Sequence, residues 1–189
     1  MCVYCASSQQ ARPSFVAAAT ALGREFADRG WETVYGGGRS GLMGALAEGA
    51  LGAGGRVHGI IPEFMKVREW AHQGVSFLET VPDRHTRKRR MVECADAIVA
   101  LPGGSGTLEE LLEAITWKRL GIHGKPIVIA NLEGFYDPLV QQLELCITER
   151  MMHARHGAMW TVVRDAGDVT NALLRAPTWD DDAIGFAKV

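Results

Sequence analysis

The sequence predicts an α/β fold, a Rossmann-like doubly wound sheet that is mainly parallel and carries helices on both faces. Segments with strand and helix patterns alternate along the chain, which implies parallel strands joined by right-handed crossovers. Segments such as 97–101 are apolar at every position, as expected for strands buried on both faces. Glycine-rich turns follow two of the strands and lead into helices, as they do where such sheets bind ligands.

Each element follows from its pattern of apolar residues. Strands are short apolar runs bounded by glycine, proline or serine. They are predicted over residues 1–6, 31–35, 56–61, 75–81, 97–101, 126–131 and 159–163. Helices are indicated where apolar residues recur every three or four positions, as Phe15, Leu22 and Phe26 do. They are predicted over residues 14–28, 42–52, 82–94, 107–120, 139–150 and 169–174.

The chain has 189 residues, a length typical of one domain of about 100–200 residues. We expect residues 1–189 to form a single nucleotide-binding α/β domain, for reasons given below, with a core that needs no disulfide or metal. The acidic residues 180–182 are expected to form a solvated or frayed end.

Charge and composition argue against nucleic acid and membrane as partners. Lysine plus arginine total 20 and aspartate plus glutamate 22, a net charge of −2, so the chain lacks the basic character of a nucleic-acid-binding protein. No apolar run approaches about 18 residues, so no membrane span is expected. The N-terminus lacks a charged stretch followed by an apolar core, so no signal peptide is expected. We therefore expect a cytoplasmic protein.

Of the four cysteines, Cys2 and Cys5 have the C-x-x-C spacing of a redox pair. The alternative is that both are small apolar residues in and just after a buried first strand. No helix N-terminus directly follows them to activate a thiol, so the second interpretation is favoured.

Two glycine-rich loops are the main functional signal. Residues 36–41 read GGGRSG and residues 102–107 read PGGSGT, and each follows a strand and precedes a helix. Glycine lets the backbone approach a ligand closely, and the amides and dipole at a helix N-terminus favour an anion. Neither loop has the lysine of a P-loop, and the first strand lacks the dinucleotide-binding G-x-G-x-x-G. One small phosphorylated ligand is therefore predicted, rather than ATP or NAD.

Charged residues on two predicted helices are placed to meet this ligand. Arg84, Arg87 and Lys88 share one face of the helix that precedes the strand bearing the second loop. Glu109 and Glu110 lie in the first turns of the helix after that loop and point about 100° apart, so one of them is expected to face the ligand. The ordinary alternatives are a solvated basic face, and acids that favour a helix start for dipole reasons.

A carboxylate beside a bound sugar phosphate suits cleavage of a glycosidic bond. Breaking the C–N bond at the anomeric carbon develops oxocarbenium charge. A carboxylate can stabilise that charge, hold the ribose hydroxyls or activate water. These residues therefore suit chemistry at the glycosidic bond of a bound sugar phosphate.

Residues 102–110, PGGSGTLEE, resemble the P-G-G-x-G-T-x-x-E motif of the LOG (Lonely Guy) family, and residues 85–88, HTRK, resemble the end of its M-H-x-R-K motif. Residues 35–44 are similar to its Y-G-G-G-x-x-G-L-M-G stretch, and the similarity covers about residues 1–165. The resemblance implies a cytokinin riboside 5′-monophosphate phosphoribohydrolase, which releases an N6-modified adenine and ribose 5-phosphate and typically accepts AMP. It implies no metal or organic cofactor, and a homodimer with sites near the subunit interface.

By resemblance, Arg87 and Glu110 form the catalytic pair. The first glycine loop adds Gly37 and Gly38 to the expected substrate site, and the resemblance adds Glu69, Lys88, Gly104, Ser105, Gly106, Thr107, Leu108, Glu109 and Thr116. The sequence departs from the family pattern at Arg84, which replaces the motif's Met and leaves the preferred base open. Ser105 replaces a Tyr common in plant members, and Ala6 replaces a usual Gly.

Other functions share some of these features. A non-catalytic carrier of a phosphorylated cofactor, such as the molybdenum-cofactor carriers of similar fold, would use the glycine loops without needing an Arg–Glu pair. A pyridoxal-phosphate decarboxylase would need a Schiff-base lysine, and no internal lysine lies in a recognisable cofactor motif. The internal lysines are Lys66, Lys88, Lys118 and Lys125.

Two further patterns are interpreted as structural. His153 and His156 are three residues apart, but no third ligand stands at a recognised spacing, so no metal site is predicted. Trp117 is interpreted as a core or subunit contact rather than a platform on which a base stacks.

Overall fold

The computed structural model describes residues 1–66, 70–179 and 185. Its strands are β1 Cys2–Tyr4, β2 Thr33–Tyr35, β3 Val57–Pro62, β4 Phe77–Val81, β5 Ile98–Ala100, β6 Ile127–Ala130 and β7 Thr161–Val163. They form one parallel sheet in the order β4-β3-β2-β1-β5-β6-β7. The strand order reverses between β1 and β5, which confirms the predicted doubly wound architecture.

Helices cover both faces of this sheet. They are α1 Pro13–Asp28, α2 Gly41–Gly52, α3 Glu63–Lys66, α4 Arg84–Glu93, α5 Ser105–Arg119, α6 Asp137–Thr148 and α7 Val169–Arg175. Apolar side chains of α1, α2 and α7 pack in one buried cluster, and those of α4, α5 and α6 pack in another. Among the described residues, no helix is long and apolar enough to cross a membrane.

Glycine allows α1 and α2 to pack with their backbones in contact. A Cβ at Gly23 would lie 2.1 Å from the carbonyl oxygen of Leu46, and a Cβ at Gly49 would lie 2.1 Å from that of Thr20. No other residue fits at either position without moving a helix.

The predicted elements are present, and the differences concern their ends. The helix predicted over 82–94 begins at Arg84, because Asp83 caps it by accepting a hydrogen bond from the Thr86 amide at 2.8 Å. The helix predicted from residue 107 begins earlier, at Ser105, because Gly104 is its N-cap. Sequence patterns missed the short α3 and the 3-10 helices at Leu132–Gly134, Ala154–Ala158 and Ala166–Asp168. The predicted acidic end, residues 180–182, lies outside the described residues.

Candidate active site

A cavity of about 430 Å³ lies at the edge of the sheet where the parallel strands end. The connections that follow β1, β2, β3 and β5 line it, so it spans the point where the strand order reverses. Doubly wound sheets hold their ligands at this position. The lining residues are Cys5, Ala6, Ser7, Ser8, Gly36, Gly38, Arg39, Ser40, Met43, Ile61, Met65, Trp70, Arg84, Arg87, Gly104, Ser105, Gly106, Thr107 and Glu110.

The second glycine loop runs directly into the first turn of α5. Ser105, Gly106 and Thr107 form that turn and line the cavity. Amides of a first helical turn have no partner within the helix, and the helix dipole adds partial positive charge there. Position 103 requires glycine, because a Cβ there would lie 2.1 Å from the hydroxyl oxygen of Thr107. This turn can therefore bind a phosphate group.

The first glycine loop is held in place by the segment that precedes β4. Gly37 has a φ of 71°, in the left-handed region that favours glycine. The Arg39 amide donates to the carbonyl of Trp70 at 3.0 Å, and the His72 amide donates to that of Gly37 at 2.9 Å. Between these bonds, Gly38 and Ala71 form an antiparallel bridge. The loop and the segment thus form one wall of the cavity.

Arg87 and Glu110 meet at the cavity as a buried ion pair. The Nη1 atom of Arg87 donates to Oε1 of Glu110 at 3.0 Å, and the two side chains are 3% and 4% exposed. Arg87 also donates from Nε to the carbonyl of Ile60 at 3.0 Å and from Nη2 to that of Gly36 at 3.2 Å. A Cβ at Gly36 would lie 1.7 Å from Nη2, so only glycine leaves room for the guanidinium. Carbonyl groups of β3 and of the loop after β2 therefore hold the guanidinium of Arg87, and this guanidinium orients Glu110.

The surroundings of Glu110 adjust its acidity. Burial raises the pKa of the Glu110 carboxyl above its usual value, and the positive charges of Arg87 and Arg84 oppose that rise. A carboxylate held in this way can stabilise a developing cation or accept a proton from water. Both abilities suit glycosidic chemistry.

A second group of charges links α4 to α5 beside this pair. Arg84 donates to Glu109 at 2.7 Å, and Lys88 donates to Glu109 at 2.7 Å and to Glu113 at 3.1 Å. Lys88 is buried, and its ammonium group points to these two carboxylates. Of the three cations predicted to share one face, Arg84 and Arg87 line the cavity and Lys88 does not.

The structure brings together part of the predicted site. The predicted residues that line the cavity are Arg87, Glu110, Gly38, Gly104, Ser105, Gly106 and Thr107. The predicted residues that do not line it in this single chain are Gly37, Lys88, Leu108, Glu109 and Thr116. The hydroxyl of Thr116 donates to the carbonyl of Leu112 on the exposed side of α5, at 2.8 Å. Glu69 lies outside the described residues.

Sequence reasoning missed several residues of the cavity wall. From the sequence, no substrate-binding role is assigned to eight residues that line the cavity, which are Cys5, Ala6, Ser7, Ser8, Met43, Ile61, Met65 and Trp70. A usable signal existed for residues 5–8 and 61–65, because they directly follow strands whose carboxyl ends must share one edge of a parallel sheet. Trp70 directly follows Glu69, which the family resemblance places in the site, and its segment reaches the cavity by pairing with the first glycine loop.

The internal lysines do not supply a Schiff-base site in the cavity. Lys66 donates to the hydroxyl of Thr80 at 3.3 Å, Lys118 donates to the carbonyl of Lys125 at 2.9 Å, and Lys125 donates to the carbonyl of Val92. None of these, nor Lys88, lines the cavity. Carbonyl chemistry with pyridoxal phosphate would require such a lysine.

The other candidate reactive groups have structural surroundings. Burial raises the pKa of the Cys2 thiol to about 12 and raises that of Cys5 as well, so both behave as apolar residues. The imidazole of His153 accepts from the Arg155 amide at 3.2 Å, and that of His156 accepts from the His153 amide at 3.0 Å. Both therefore cap a 3-10 helix.

One cluster away from the cavity has the composition of a metal site. His58, Glu79 and Cys94 hold potential ligand atoms within 4.8 Å of one another. However, Arg90 donates to both carboxylate oxygens of Glu79, at 2.8 and 3.2 Å. The Arg90 guanidinium therefore already neutralises the negative charge of Glu79 that would attract a metal ion.

Comparisons with known proteins identify the family of this chain. Residues 43–173 match a family model described as possible lysine decarboxylase. The chain is 45% identical over 178 residues to the cytokinin riboside 5′-monophosphate phosphoribohydrolase LOG of Oryza sativa subsp. japonica, covering 94% of this chain and 68% of that protein. It is 44% identical over 149 residues to the phosphoribohydrolase LOG7 of Arabidopsis thaliana, covering 79% of this chain and 69% of that protein.

Solved structures show the same architecture. The Moco carrier protein from Chlamydomonas reinhardtii superposes with a TM-score of 0.71 at 20% identity, over 93% of this chain and 94% of that chain. The molybdenum cofactor binding protein from Rippkaea orientalis gives a TM-score of 0.70 at 21% identity, over 92% and 94%. At these identities the likeness shows the fold alone. The family model and the sequence relatives together show that this chain belongs to the LOG family of cytokinin riboside 5′-monophosphate phosphoribohydrolases.

Proposed function

We propose that this chain hydrolyses the N-glycosidic bond of an adenosine 5′-monophosphate, either N6-modified as in a cytokinin riboside monophosphate or plain as in AMP. The products would be the free base and ribose 5-phosphate. Family membership carries the coarser statement that the chain is a hydrolase acting on N-glycosyl bonds. The observation that carries the finer proposal is the buried Arg87–Glu110 pair in one cavity with the first turn of α5.

The substrate would be held mainly through its phosphate group. The amides of Ser105, Gly106 and Thr107 and the dipole of α5 supply the anion site, and the guanidinium of Arg84 adds positive charge to the same wall. Glu110 stands one turn further along α5. A ribose attached to that phosphate would bring its anomeric carbon towards this carboxylate.

The chemical step follows from that placement. Water adds its oxygen to the anomeric carbon as the C–N bond breaks, and its proton is transferred to the departing base. Positive charge develops on the ribose ring during this step. Glu110 stabilises that charge and can hold the attacking water or the ribose hydroxyls, while Arg87 keeps Glu110 in position.

Replacing Glu110 with glutamine tests this proposal. Glu110→Gln keeps the size of the side chain but removes its negative charge, so we expect release of adenine from AMP to fall by about 10²–10⁴-fold. Release is measured by chromatography of the free base, with N6-isopentenyl-AMP as a second substrate. Glu144→Gln, which changes an exposed glutamate on α6, is the control and should retain full activity. Unchanged base release by the Glu110 variant would contradict the proposed role.

The same assay separates the alternative functions. A carrier of a phosphorylated cofactor would bind phosphorylated ligands without releasing ribose 5-phosphate. A pyridoxal-phosphate enzyme would show the visible absorbance of its cofactor on purification, a result that the surroundings of the lysines do not favour.

We propose that the enzyme acts as a homodimer in the cytoplasm, as the family resemblance implies. Leu112, in α5, and Leu120, which caps the C-terminal end of that helix, lie four residues either side of Thr116 and are 39% and 37% exposed. An apolar stripe of this kind supports a subunit contact. Light scattering that gave the mass of a single chain would contradict the dimer.

A further inference from the structure

Among the described residues, three arginines line the cavity, and two of them have a carboxylate partner. Arg84 donates to Glu109 at 2.7 Å. Arg87 donates to Glu110 at 3.0 Å. The guanidinium of Arg39, in the first glycine loop, makes no hydrogen bond or ion pair with any residue in the described part of the chain. The described cavity wall therefore carries one positive charge that no carboxylate balances.

The main chain of Arg39 is fixed, although its side chain is exposed. Its amide donates to the carbonyl of Trp70 at 3.0 Å. Its carbonyl packs against Gly44 in α2, where a Cβ would lie 2.2 Å from the Arg39 oxygen. Only the side chain is therefore left to be ordered when a ligand binds, and this limits the entropy lost on binding.

Ala6 joins the two elements that carry the glycine loops. Its carbonyl accepts from the amide of Met43, in the first turn of α2, at 3.2 Å, and its amide donates to the carbonyl of Pro102, at the start of the second loop, at 3.1 Å. The order β2-β1-β5 separates the strands before the two loops by two spacings, which is about 10 Å at about 4.8 Å per spacing. A phosphate group bound on the first turn of α5 would therefore lie within reach of the long side chain of Arg39.

We infer that Arg39 is a specificity-determining residue whose guanidinium binds the 5′-phosphate of the substrate from the side opposite α5. This inference rests on the proposed function, and it gives a substrate contact to a residue outside the Arg87–Glu110 pair and the second glycine loop. A phosphate monoester carries a charge of about −1.5 to −2 at neutral pH, whereas a helix N-terminus supplies only about +0.5. A cation without a carboxylate partner complements the remaining charge, and the planar guanidinium matches the oxygens of a phosphate. Arg39 should therefore favour nucleoside monophosphates over nucleosides.

Equilibrium binding to Arg39 variants tests this inference. Calorimetry is carried out on the Glu110→Gln chain, so that AMP is not consumed, with AMP, ribose 5-phosphate and adenosine as ligands. We expect Arg39→Gln to weaken the binding of both phosphorylated ligands by about 10- to 100-fold, as for loss of a hydrogen bond between charged groups. Adenosine has no phosphate and should bind the parent and the variant alike. Arg39→Lys keeps the charge and should retain most of the AMP affinity.

The control is Arg24→Gln, which removes the same charge from an exposed arginine of α1. Arg24 does not line the cavity, so its replacement should leave the affinity for all three ligands unchanged. An unchanged melting temperature shows that each variant is folded. The inference is overturned by unchanged AMP binding in Arg39→Gln, by equal weakening of AMP and adenosine, by an equal loss in Arg24→Gln, or by a parent chain that does not bind AMP.

The two proposals fail in different ways. If the unmodified chain releases no base from AMP but Arg39→Gln selectively loses affinity for phosphorylated ligands, the role of Arg39 stands and the proposed hydrolysis is wrong. If base release is normal and Arg39→Gln binds AMP as tightly as its parent, the hydrolysis stands and the role of Arg39 is wrong.

Discussion

At the scale of single residues, the position of Arg87 explains why an arginine is needed there. Its guanidinium makes three directed hydrogen bonds, to Ile60, Gly36 and Glu110, which the single ammonium group of lysine could not reproduce in one plane. A buried ion pair of this kind contributes little net stability, because desolvation offsets the attraction. We therefore attribute the pair to function.

Arg84 is expected to set the pH at which Glu110 works. It stands where the family motif has Met, and its positive charge holds the pKa of Glu110 below the value that burial alone would give. Arg84→Met should therefore raise the pKa of Glu110 further. Because we propose that Glu110 acts as a carboxylate, activity is lost as the pH falls through that pKa. The acid limb of the kcat/KM profile for AMP should thus move to higher pH.

A matched arginine on the same helix provides the control. Arg89 is 74% exposed and pairs with Glu93, outside the cavity, so Arg89→Met should leave the profile in place. An acid limb at the same pH in the Arg84 and Arg89 variants would show that Arg84 does not act on Glu110.

Sequence reasoning found the residues of the site that belong to motifs and missed those placed by tertiary pairing. Arg87 and Glu110 stand in recognisable patterns, and the structure places them 3.0 Å apart. Lys88 stands in the same pattern, but its ammonium group donates to Glu109 and Glu113 on α5 and does not line the cavity. Residue spacing within one helix does not reveal this contact between helices. Trp70 stands next to Glu69, a predicted site residue, but its place in the cavity wall depends on the pairing of its segment with the first glycine loop, which the sequence does not reveal.

At the scale of elements, the close packing of α2 against α1 helps to position the first glycine loop. α2 begins directly after that loop, and the contact at Gly49 fixes how the helix lies against α1. The position of the loop therefore depends on a glycine outside the cavity.

Two glycines of α2 give a matched test of this packing. In Gly49→Ala the new methyl would meet the Thr20 carbonyl oxygen at 2.1 Å, so we expect the free energy of unfolding to fall by about 1–3 kcal/mol. In Gly52→Ala the new methyl would meet no atom within 4 Å outside the neighbouring backbone of its own helix, so that variant should be unchanged or more stable by up to about 1 kcal/mol. Chemical denaturation measures both. Equal stability of the two variants would contradict close backbone packing at Gly49.

The ends of elements were harder to predict than the elements themselves. The amphipathic pattern of α5 becomes clear only from residue 107, whereas the helix begins at Ser105 because Gly104 adopts an extended N-cap conformation. This shift matters for function, since it turns the glycine loop into the first helical turn and makes its amides available to an anion.

At the scale of the whole molecule, the order of the strands creates the site. Alternating patterns predict parallel strands, but they do not state which strands are neighbours. The observed order places the connections after β3, β2, β1 and β5 side by side, so groups more than a hundred residues apart in sequence, such as Cys5 and Glu110, line one cavity. The sequence thus predicts both glycine loops and the Arg87–Glu110 pair, while their meeting in one cavity follows only from the fold.

The most direct test of the account is a crystal structure of the Glu110→Gln variant with AMP bound. We predict that the phosphate lies within hydrogen-bonding distance of the amides of residues 105–107 and that the anomeric carbon lies beside residue 110 and Arg87. A nucleotide bound outside this cavity, or bound in reverse with its base at the start of α5, would contradict the account.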